Sequence, residues 1–155
     1  MNISDVEEEI TDLDWFAPDK EGAIGHFTTG GFGVLPRSVA SSKEDLERVS
    51  KYFNSLPPNR GAPILSAKAK EIIATKDEKA RTAYLQDYLK AASRGLYSFN
   101  YQHIGRRPAP YFLVAIPERP LYVTDLPLDI QEVLKRTILP NVFSAQPTVA
   151  VDDAR

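Results

Sequence analysis

Carboxylates and one imidazole are concentrated in residues 12–26, near the amino terminus. The acids are Asp12, Asp14, Asp19 and Glu21, and His26 follows them. Side chains alternate between the two faces of a strand, so Asp12 and Asp14 share one face of a predicted hairpin. Two such carboxylates can bind a cation or act as an acid–base pair. Their spacing does not match a calcium-binding EF-hand loop, and a solvated strand face is the favoured interpretation.

His26 and His103 are the only two histidines, and both alternate with aromatic or apolar neighbours. This pattern favours packed, hydrogen-bonded imidazoles over metal ligands or catalytic bases. The chain has no cysteine, no HExxH zinc motif and no GxSxG nucleophile motif. The sequence therefore predicts no catalytic residue, no metal site and no cofactor, and it favours a non-enzyme over an enzyme.

A glycine-rich segment, TTGGFG, covers residues 28–33. Backbone N–H groups of such loops bind phosphate where the loop joins a strand to a helix. Here the glycine spacing differs from GxGxxG, and no Lys-Ser or Lys-Thr pair follows. The segment is therefore interpreted as a bend that uses the positive φ angles open to glycine.

Arg106 and Arg107 lie in a predicted loop between two aromatic strands. Guanidinium groups bind carboxylates and phosphates through paired hydrogen bonds, and Tyr and Arg are enriched among the residues that dominate protein interfaces. An aromatic strand face is also the usual content of a core, and this alternative stays open. The residues predicted to bind a partner are Arg106, Arg107, Tyr97, Tyr101, Trp15 and His26.

The chain of 155 residues has the length of one domain and can bury a core without disulfides. Its net charge is −2, but residues 1–21 hold eight acids and one base. Residues 1–11 are interpreted as a flexible acidic leader, with a basic partner or folding back onto the body as alternatives. This charge balance does not favour nucleic-acid binding.

The sequence shows neither a signal peptide nor an apolar run long enough for a membrane span. With the absence of cysteine, this predicts a cytoplasmic protein with no membrane partner. The oligomeric state is left open by the sequence.

Hydrophobic periodicity predicts the helices and strands that position these residues. Residues 12–29 predict a β-hairpin whose turn is PDKEG. Three helices are then predicted: one capped by Ser42, a short one over residues 66–74, and a third that begins near Lys76 and ends at Gly95.

Strands return in the second half of the chain. They are predicted over residues 96–103, 111–116, 121–124 and 141–151, with a helix beginning at Pro127 and an edge position for the last strand. Runs of strands separated by runs of helices indicate an α+β fold. The prediction is one domain over residues 12–151, with an antiparallel or mixed sheet built from two hairpins and helices mainly on one face.

Two stretches, DLDWFAPDKEGAIGHFTTGGFG and YFLVAIPERPLYVTDLP, resemble a group of small bacterial proteins of unknown function. The resemblance covers most of the chain from Asp12 onward and rests on structural motifs. It implies no activity for particular residues. Proteins of this build can occur as immunity-type partners of bacterial toxins, which is an analogy of build alone.

The sequence thus predicts a protein of unknown function that acts as a non-enzymatic protein-binding module. An immunity-like partner of a bacterial toxin is the sharpest form of this prediction. The alternative is a small metal-dependent hydrolase that uses the hairpin residues Asp12, Asp14 and His26, with His103 as a further candidate.

Overall fold

The computed structural model describes residues 1–31, 34–101 and 109–151, with only the backbone for residues 8–10. In this part of the chain six α-helices, one 3-10 turn and six strands form an α+β domain, as predicted. The strands are β1 (Asp14–Pro18), β2 (Ile24–Thr28), β3 (Ile64–Leu65), β4 (Tyr97–Tyr101), β5 (Tyr111–Ile116) and β6 (Thr148–Val149). The helices are α1 (Asp5–Ile10), α2 (Arg37–Ala40), α3 (Lys43–Ser55), α4 (Ala67–Ala74), α5 (Glu78–Ser93) and α6 (Leu128–Leu134).

The strands form one mixed sheet in the order β1-β2-β4-β5-β3, and β6 also pairs with β5. Both predicted hairpin pairings, β1 with β2 and β4 with β5, are antiparallel. The two hairpins are joined by a parallel pairing of β2 with β4. This parallel pairing brings residues about 70 positions apart side by side, as in the pair His26 and Ser98.

One face of the sheet, here called the aromatic face, is closed by irregular chain. Trp15 stacks on Phe27 at 4.1 Å between ring centroids, and Phe27 stacks on Phe99 at 4.7 Å. Phe143, from the segment after α6, lies against Phe99 at 5.1 Å. The rings are fully buried, so this face forms the largest apolar cluster of the core.

The opposite face, here called the helix face, is covered by α3, α4, α5 and α6. Phe16 and Ile24 pack with residues of α3 and α6, whereas Phe112 and Val114 pack with residues of α4 and α5. The expectation that helices gather mainly on one face is confirmed for these four helices. Between the two apolar clusters, the helix face carries polar side chains.

The helices end where their sequence signals place them. Ser42 caps α3 by accepting a hydrogen bond from the N–H of Asp45 at 3.2 Å. Gly95 ends α5 with a φ of 95°, and a Cβ there would lie 3.0 Å from the backbone of Leu121. A side chain at this position would therefore face both strain and collision.

Three boundaries differ from the sequence prediction. Helix α5 is capped by Asp77, which accepts from the N–H of Ala80 at 2.8 Å, so it begins after Lys76. Residues 123–125 form a 3-10 turn instead of a strand, because Asp125 caps the backbone N–H of Tyr122. Of the strand predicted over residues 141–151, only Thr148–Val149 forms a strand, which is β6. It starts after Pro147, because proline has no N–H group to donate.

The acidic leader forms backbone contacts with the domain. Ser4 caps α1 in a capping box with Glu7, and Ile3 is buried in the core. The N–H of Ile3 donates to the carbonyl of Ala40 at 2.8 Å, and Lys43 donates to Glu7 at 3.2 Å. These contacts agree with the alternative interpretation, in which the acidic leader folds back onto the body of the domain.

Candidate functional site

An open cleft lies between α3 and α5 above the helix face of the sheet. It has an outer part of about 520 Å³ and an inner part of about 380 Å³, and both are lined by Asp14 and Asp87. The polar lining of the outer part is Asp12, Asp14, Thr28, Glu47, Ser50, Tyr84, Asp87 and Tyr88. The polar lining of the inner part is Asp14, His26, Asn54, Asp87, Lys90 and Arg94.

Strand register explains why polar groups meet on the floor of this cleft. Asp14 is the cross-strand neighbour of Thr28, and His26 is the cross-strand neighbour of Ser98. Alternation along each strand places these four side chains on the helix face, while their neighbours in sequence point to the aromatic face. Asp14 and His26 are diagonal neighbours, a distance that a carboxylate and an imidazole can span.

A chain of hydrogen bonds runs from the core to the cleft through these residues. Nδ1 of His26 lies 2.8 Å from Oγ of Ser98, and Nε2 lies 3.3 Å from Oδ2 of Asp14. The hydroxyl of Thr28 donates to the other oxygen of Asp14. Because an ionised carboxylate only accepts, Nε2 must carry a proton, and in the neutral ring Nδ1 then accepts from the Ser98 hydroxyl.

The environment of Asp14 favours its ionised form. Burial is the largest influence and acts to raise the pKa of Asp14, but hydrogen bonds from His26 and Thr28 and the charge of a protonated His26 outweigh it. The net result is a pKa below the ordinary value of an aspartate. The side chain is 49% exposed, so this carboxylate presents its charge to the cleft.

Ser98, His26 and Asp14 have the residue types of a hydrolase triad, but their arrangement differs from one. Ser98 is fully buried, and its hydroxyl contacts Nδ1 of a histidine that is itself 4% exposed. A nucleophile must reach a substrate as well as its base. Ser98 therefore orients the imidazole and is not placed to attack a molecule in the cleft.

The remaining walls supply charge and aromatic surface. Burial raises the pKa of the Tyr88 hydroxyl, which stays neutral. Smaller contributions in the same direction come from the nearby Tyr84, Asp12, Asp14 and Asp87. The ring centroids of Tyr84 and Tyr88 lie 5.5 Å apart, and the ammonium of Lys76 lies 5.4 Å from the centre of the Tyr84 ring. The ring of Tyr84 thus contacts a cation from its own chain, although Lys76 is not among the residues that line the cleft.

In the inner cleft, Arg94 is engaged by the end of α3. Its Nε donates to the carbonyl of Leu56 at 2.9 Å, and its Nη2 donates to the carbonyl of Asn54 at 3.2 Å. Arg94 therefore fastens the end of α5 to the end of α3 beside the inner cleft. Asp87 lines both parts of the cleft, whereas Glu47 lines the outer part alone.

Asp12 and Asp14, the predicted carboxylate pair, have separate partners. Asp12 accepts from the N–H of Gly30 at 3.0 Å, whereas Asp14 faces Thr28 and His26. Within the described parts of the chain, no three His, Asp or Glu side chains come close enough together to hold a metal ion.

Asp19, another candidate from the sequence, is used by the backbone. It is 2% exposed, and it accepts from the N–H groups of Glu21, Ala23 and Phe143 at 2.9, 3.0 and 3.0 Å. These bonds close the β1–β2 turn and fasten it to the segment that covers the aromatic face. Asp19 therefore has a structural role, and Glu21 contributes through its backbone.

The aromatic residues predicted to bind a partner lie in the core. Trp15 is fully buried and its indole N–H donates to the Tyr111 hydroxyl at 3.2 Å, while Tyr97 is 6% exposed. Tyr101 is 4% exposed and accepts from the N–H of Ala109 at 2.8 Å. His26 is the one predicted binding residue among the described ones that lines the cleft.

Arg106, Arg107 and His103 fall outside the residues that the structure describes. Their predicted roles stay predictions. The glycine-rich segment is described up to Gly31, and Gly30 and Gly31 have φ angles of 63° and 85°, in agreement with the predicted bend.

Sequence reasoning missed Ser98, Glu47 and Asp87. Ser98 becomes visible as a partner of His26 only once β2 and β4 are paired in parallel. Asp87 and the two tyrosines at positions 84 and 88 share one face of α5, since they are three and four residues apart. That spacing was available in the sequence and is the signal that could have indicated a polar–aromatic wall.

Comparisons of the chain with protein-family models, curated proteins and solved structures find no match. The resemblance to small bacterial proteins with a DWFA-type hairpin therefore stays a prediction. No helix in the described ranges combines the length and the apolar character that crossing a bilayer requires.

Proposed function

We propose that this chain is a non-enzymatic protein-binding module whose α3–α5 cleft receives a basic segment of a protein partner. The observation that carries the proposal is Asp14, a half-exposed carboxylate held ionised by His26 and Thr28 where the two parts of the cleft meet. A fixed anion in an open cleft favours a cationic ligand group.

The lining of the outer cleft supports a cationic ligand. Asp12, Glu47 and Asp87 join Asp14 there, and no Lys, Arg or His lines this part within the described residues. Charge complementarity of this kind speeds association and selects among partners.

The aromatic wall supports a Lys or Arg side chain as the group that enters. Such side chains have an apolar stem that packs on rings while the charged end reaches an acid. Lys76 already lies over the ring of Tyr84, which shows the contact that this wall can make. In this arrangement the ligand stem lies along Tyr88 and the charged end approaches Asp14 and Asp87.

The sharpest form of the proposal is an immunity-like protein that covers a basic surface of a toxin. It is supported by the resemblance of the hairpin motif and by the acidic cleft. In this form, the cleft would hold a cationic side chain that the toxin needs for its own activity.

A capture experiment with three matched baits tests the proposal in cells of the source organism. The baits are the wild-type chain, the double variant Asp14→Asn/Asp87→Asn and the control Glu71→Gln/Glu132→Gln. The control removes two exposed acids from α4 and α6, outside the cleft lining. We expect a stoichiometric partner on the wild type and the control that is lost from the cleft variant.

Equal recovery of the partner on all three baits would place the interface elsewhere on the chain. Mass spectrometry would identify the partner, and its contact segment should be basic. A partner without a basic segment would contradict the cationic ligand even if the cleft variant failed to capture it.

A second candidate function is a small metal-dependent hydrolase. It is favoured by the contact between Asp14 and His26 beside an open cleft. An ionised aspartate and a neutral imidazole are both metal ligands. A third ligand would have to come from outside the described residues, and His103 is the candidate.

Measurements of metal content and thermal stability distinguish a metal-dependent hydrolase from a binding module. A hydrolase of this kind would retain a divalent ion after purification or gain stability with one, and EDTA would reverse the gain. The variant His103→Gln should then lose the response. A melting temperature unaffected by divalent ions and by EDTA would remove this candidate.

A further inference from the structure

The outer and inner parts of the cleft differ in charge, and helix α5 carries the difference. Four carboxylates line the outer part, where no Lys, Arg or His among the described residues joins them. The inner part shares Asp14 and Asp87 with the outer part and adds Lys90 and Arg94. Lys90 lies about 4.5 Å beyond Asp87 along the axis of α5, and Arg94 lies about 10.5 Å beyond it. The lining therefore changes from negative to balanced over about two turns of the helix.

The two cations of the inner part are used differently. Arg94 donates to two carbonyls at the end of α3, so its charge offsets the negative end of that helix. The carbonyls of Leu89, Ala92 and Ser93, at the end of α5, accept hydrogen bonds from groups other than Lys90. The side chain of Lys90 is exposed and forms no hydrogen bond or ion pair in the described ranges. Lys90 is therefore available to a ligand.

We propose that the basic segment enters the cleft by its carboxyl terminus and that Lys90 binds the terminal carboxylate in the inner part. The terminal residue is a lysine or an arginine whose side chain extends into the outer part, toward Asp14 and Asp87. The inference rests on the proposed function, because it names which end of the cationic segment the same cleft receives.

The α3 side of the cleft offers a second donor to this carboxylate. Asn54, near the end of α3, lines the inner part and is exposed. Its side-chain amide has no hydrogen bond with another described residue. An ammonium group has three donors and an amide has two, and a carboxylate accepts from either. Lys90 and Asn54 therefore supply donors on two sides of the inner part.

A chain terminus fits the change of charge along the cleft better than an acidic side chain does. A terminal lysine carries both charges on one residue, so its ammonium and its carboxylate reach neighbouring parts of the cleft together. In an extended segment, the side chains of adjacent residues point to opposite sides. A glutamate next to the lysine would therefore point away from the wall that the lysine contacts.

The test compares two acetylated eight-residue lysine peptides by isothermal titration calorimetry with the full chain. One peptide ends in a free carboxylate and the other in an amide, which removes the terminal charge. We expect the amidated peptide to bind about fivefold more weakly, the upper range for one exposed ion pair. General attraction to the acidic cleft predicts the opposite order, because the amidated peptide has the greater positive charge.

Variants of Lys90 locate the carboxylate. In Lys90→Gln the two peptides should bind within about twofold of each other, because the ion pair is absent from both complexes. Lys90→Arg should retain the preference, since a guanidinium also binds a carboxylate. The matched control Lys79→Gln removes one exposed lysine of α5 outside the cleft lining and should retain the full preference. A preference that survives in Lys90→Gln would overturn the role of Lys90.

A third peptide distinguishes a chain terminus from an acidic side chain. It is amidated and has a glutamate after eight lysines, so its net charge equals that of the peptide with the free carboxylate. We expect it to bind more weakly than that peptide. Equal affinity would assign the inner part to an acidic side chain and overturn the inference.

Two further results separate this inference from the binding proposal. Equal affinity for the free-carboxylate and amidated lysine peptides, or tighter binding of the amidated one, would overturn the inference and leave the binding proposal intact. Failure of both peptides to bind would overturn the binding proposal and the inference with it.

Discussion

The two faces of one sheet have opposite chemistry, although the same strands build both. On the aromatic face, Trp15, Phe27 and Phe99 stack in sequence across three strands and are fully buried. On the helix face, the residues one position away, Asp14, His26 and Ser98, form a hydrogen-bonded chain that reaches an open cleft. Strand alternation alone separates the two sets.

The difference shows how this fold can keep a charged group near its core. The aromatic face supplies apolar burial, and irregular chain with Phe143 closes it. The helix face can then accommodate polar side chains of the strands, because Asp14, His26 and Ser98 are linked by hydrogen bonds and Asp14 faces the cleft. Stability and recognition are therefore assigned to opposite sides of the same strands.

The largest effect should come from the aromatic face. Phe27→Ala removes a ring that stacks on both Trp15 and Phe99, and we expect a loss of about 3–5 kcal/mol in the free energy of unfolding. Urea denaturation followed by tryptophan fluorescence measures this loss. Ile138→Ala, at a site 54% exposed, should change the stability by less than about 0.5 kcal/mol and serves as the control.

If Phe27→Ala lowered the free energy of unfolding as little as the control does, the aromatic face would not be the main source of core stability. It would also remove the physical basis for the contrast between the two faces.

The second effect concerns the buried carboxylate that supports the aromatic face. Asp19→Ala leaves the N–H groups of Ala23 and Phe143 without their acceptor, and we expect a loss of about 2–4 kcal/mol in the free energy of unfolding. Asp19→Asn keeps one acceptor oxygen and should lose less. One oxygen of Asp19 accepts from Ala23 and the other from Phe143, so equal losses for both variants would contradict this account.

A smaller effect, visible as a pH dependence, comes from Asp14. Its pKa is lowered in the folded chain, so its contribution to stability is present above the pKa of the unfolded chain and is lost as pH falls through the lower folded pKa. Solvent screening of a half-exposed group limits the contribution to less than about 1 kcal/mol.

The measurement is urea denaturation from pH 6 to pH 2 for the wild type and Asp14→Asn. We expect the wild type to lose more stability over this range, with the difference arising below the ordinary pKa of an aspartate. Parallel curves would show that His26 and Thr28 do not hold Asp14 ionised.

The smallest effect should follow from changing the predicted arginine loop. If the cleft binds the cation, Arg106→Gln/Arg107→Gln should leave the affinity for a lysine peptide within about twofold, since arginines offer no attraction to a cationic ligand and salt screens their repulsion. Isothermal titration calorimetry at two salt concentrations measures this change. A large loss of peptide affinity would contradict the claim that the acidic cleft alone binds the cation.

Local patterns were sufficient to predict most elements of the fold. Period-two alternation around Trp15 and the turn PDKEG predicted the first hairpin, and Ser42 and Gly95 marked helix ends correctly. Their signals lie within a few residues of the structure that they specify. The 3-10 turn at residues 123–125 was mistaken for a strand because the capping by Asp125 competes with a short apolar pattern.

The candidate site was only partly predictable. Asp14 and His26 were identified from their types, and the packed, hydrogen-bonded state expected of His26 is confirmed. Ser98 and Asp87 were missed because they reach the site through the parallel pairing of β2 with β4 and the placement of α5. Such contacts between distant segments leave no local periodicity in the sequence.

The most direct test of the account is the affinity of an eight-residue lysine peptide for three forms of the chain. These are the wild type, Asp14→Asn/Asp87→Asn and the control Glu71→Gln/Glu132→Gln, which has the same net charge as the cleft variant. Calorimetry should show equal, salt-dependent binding by the wild type and the control, and at least about tenfold weaker binding by the cleft variant, the sum of two exposed ion pairs. Equal affinity of all three forms, or equal losses in both variants, would contradict the claim that the cleft is the binding site.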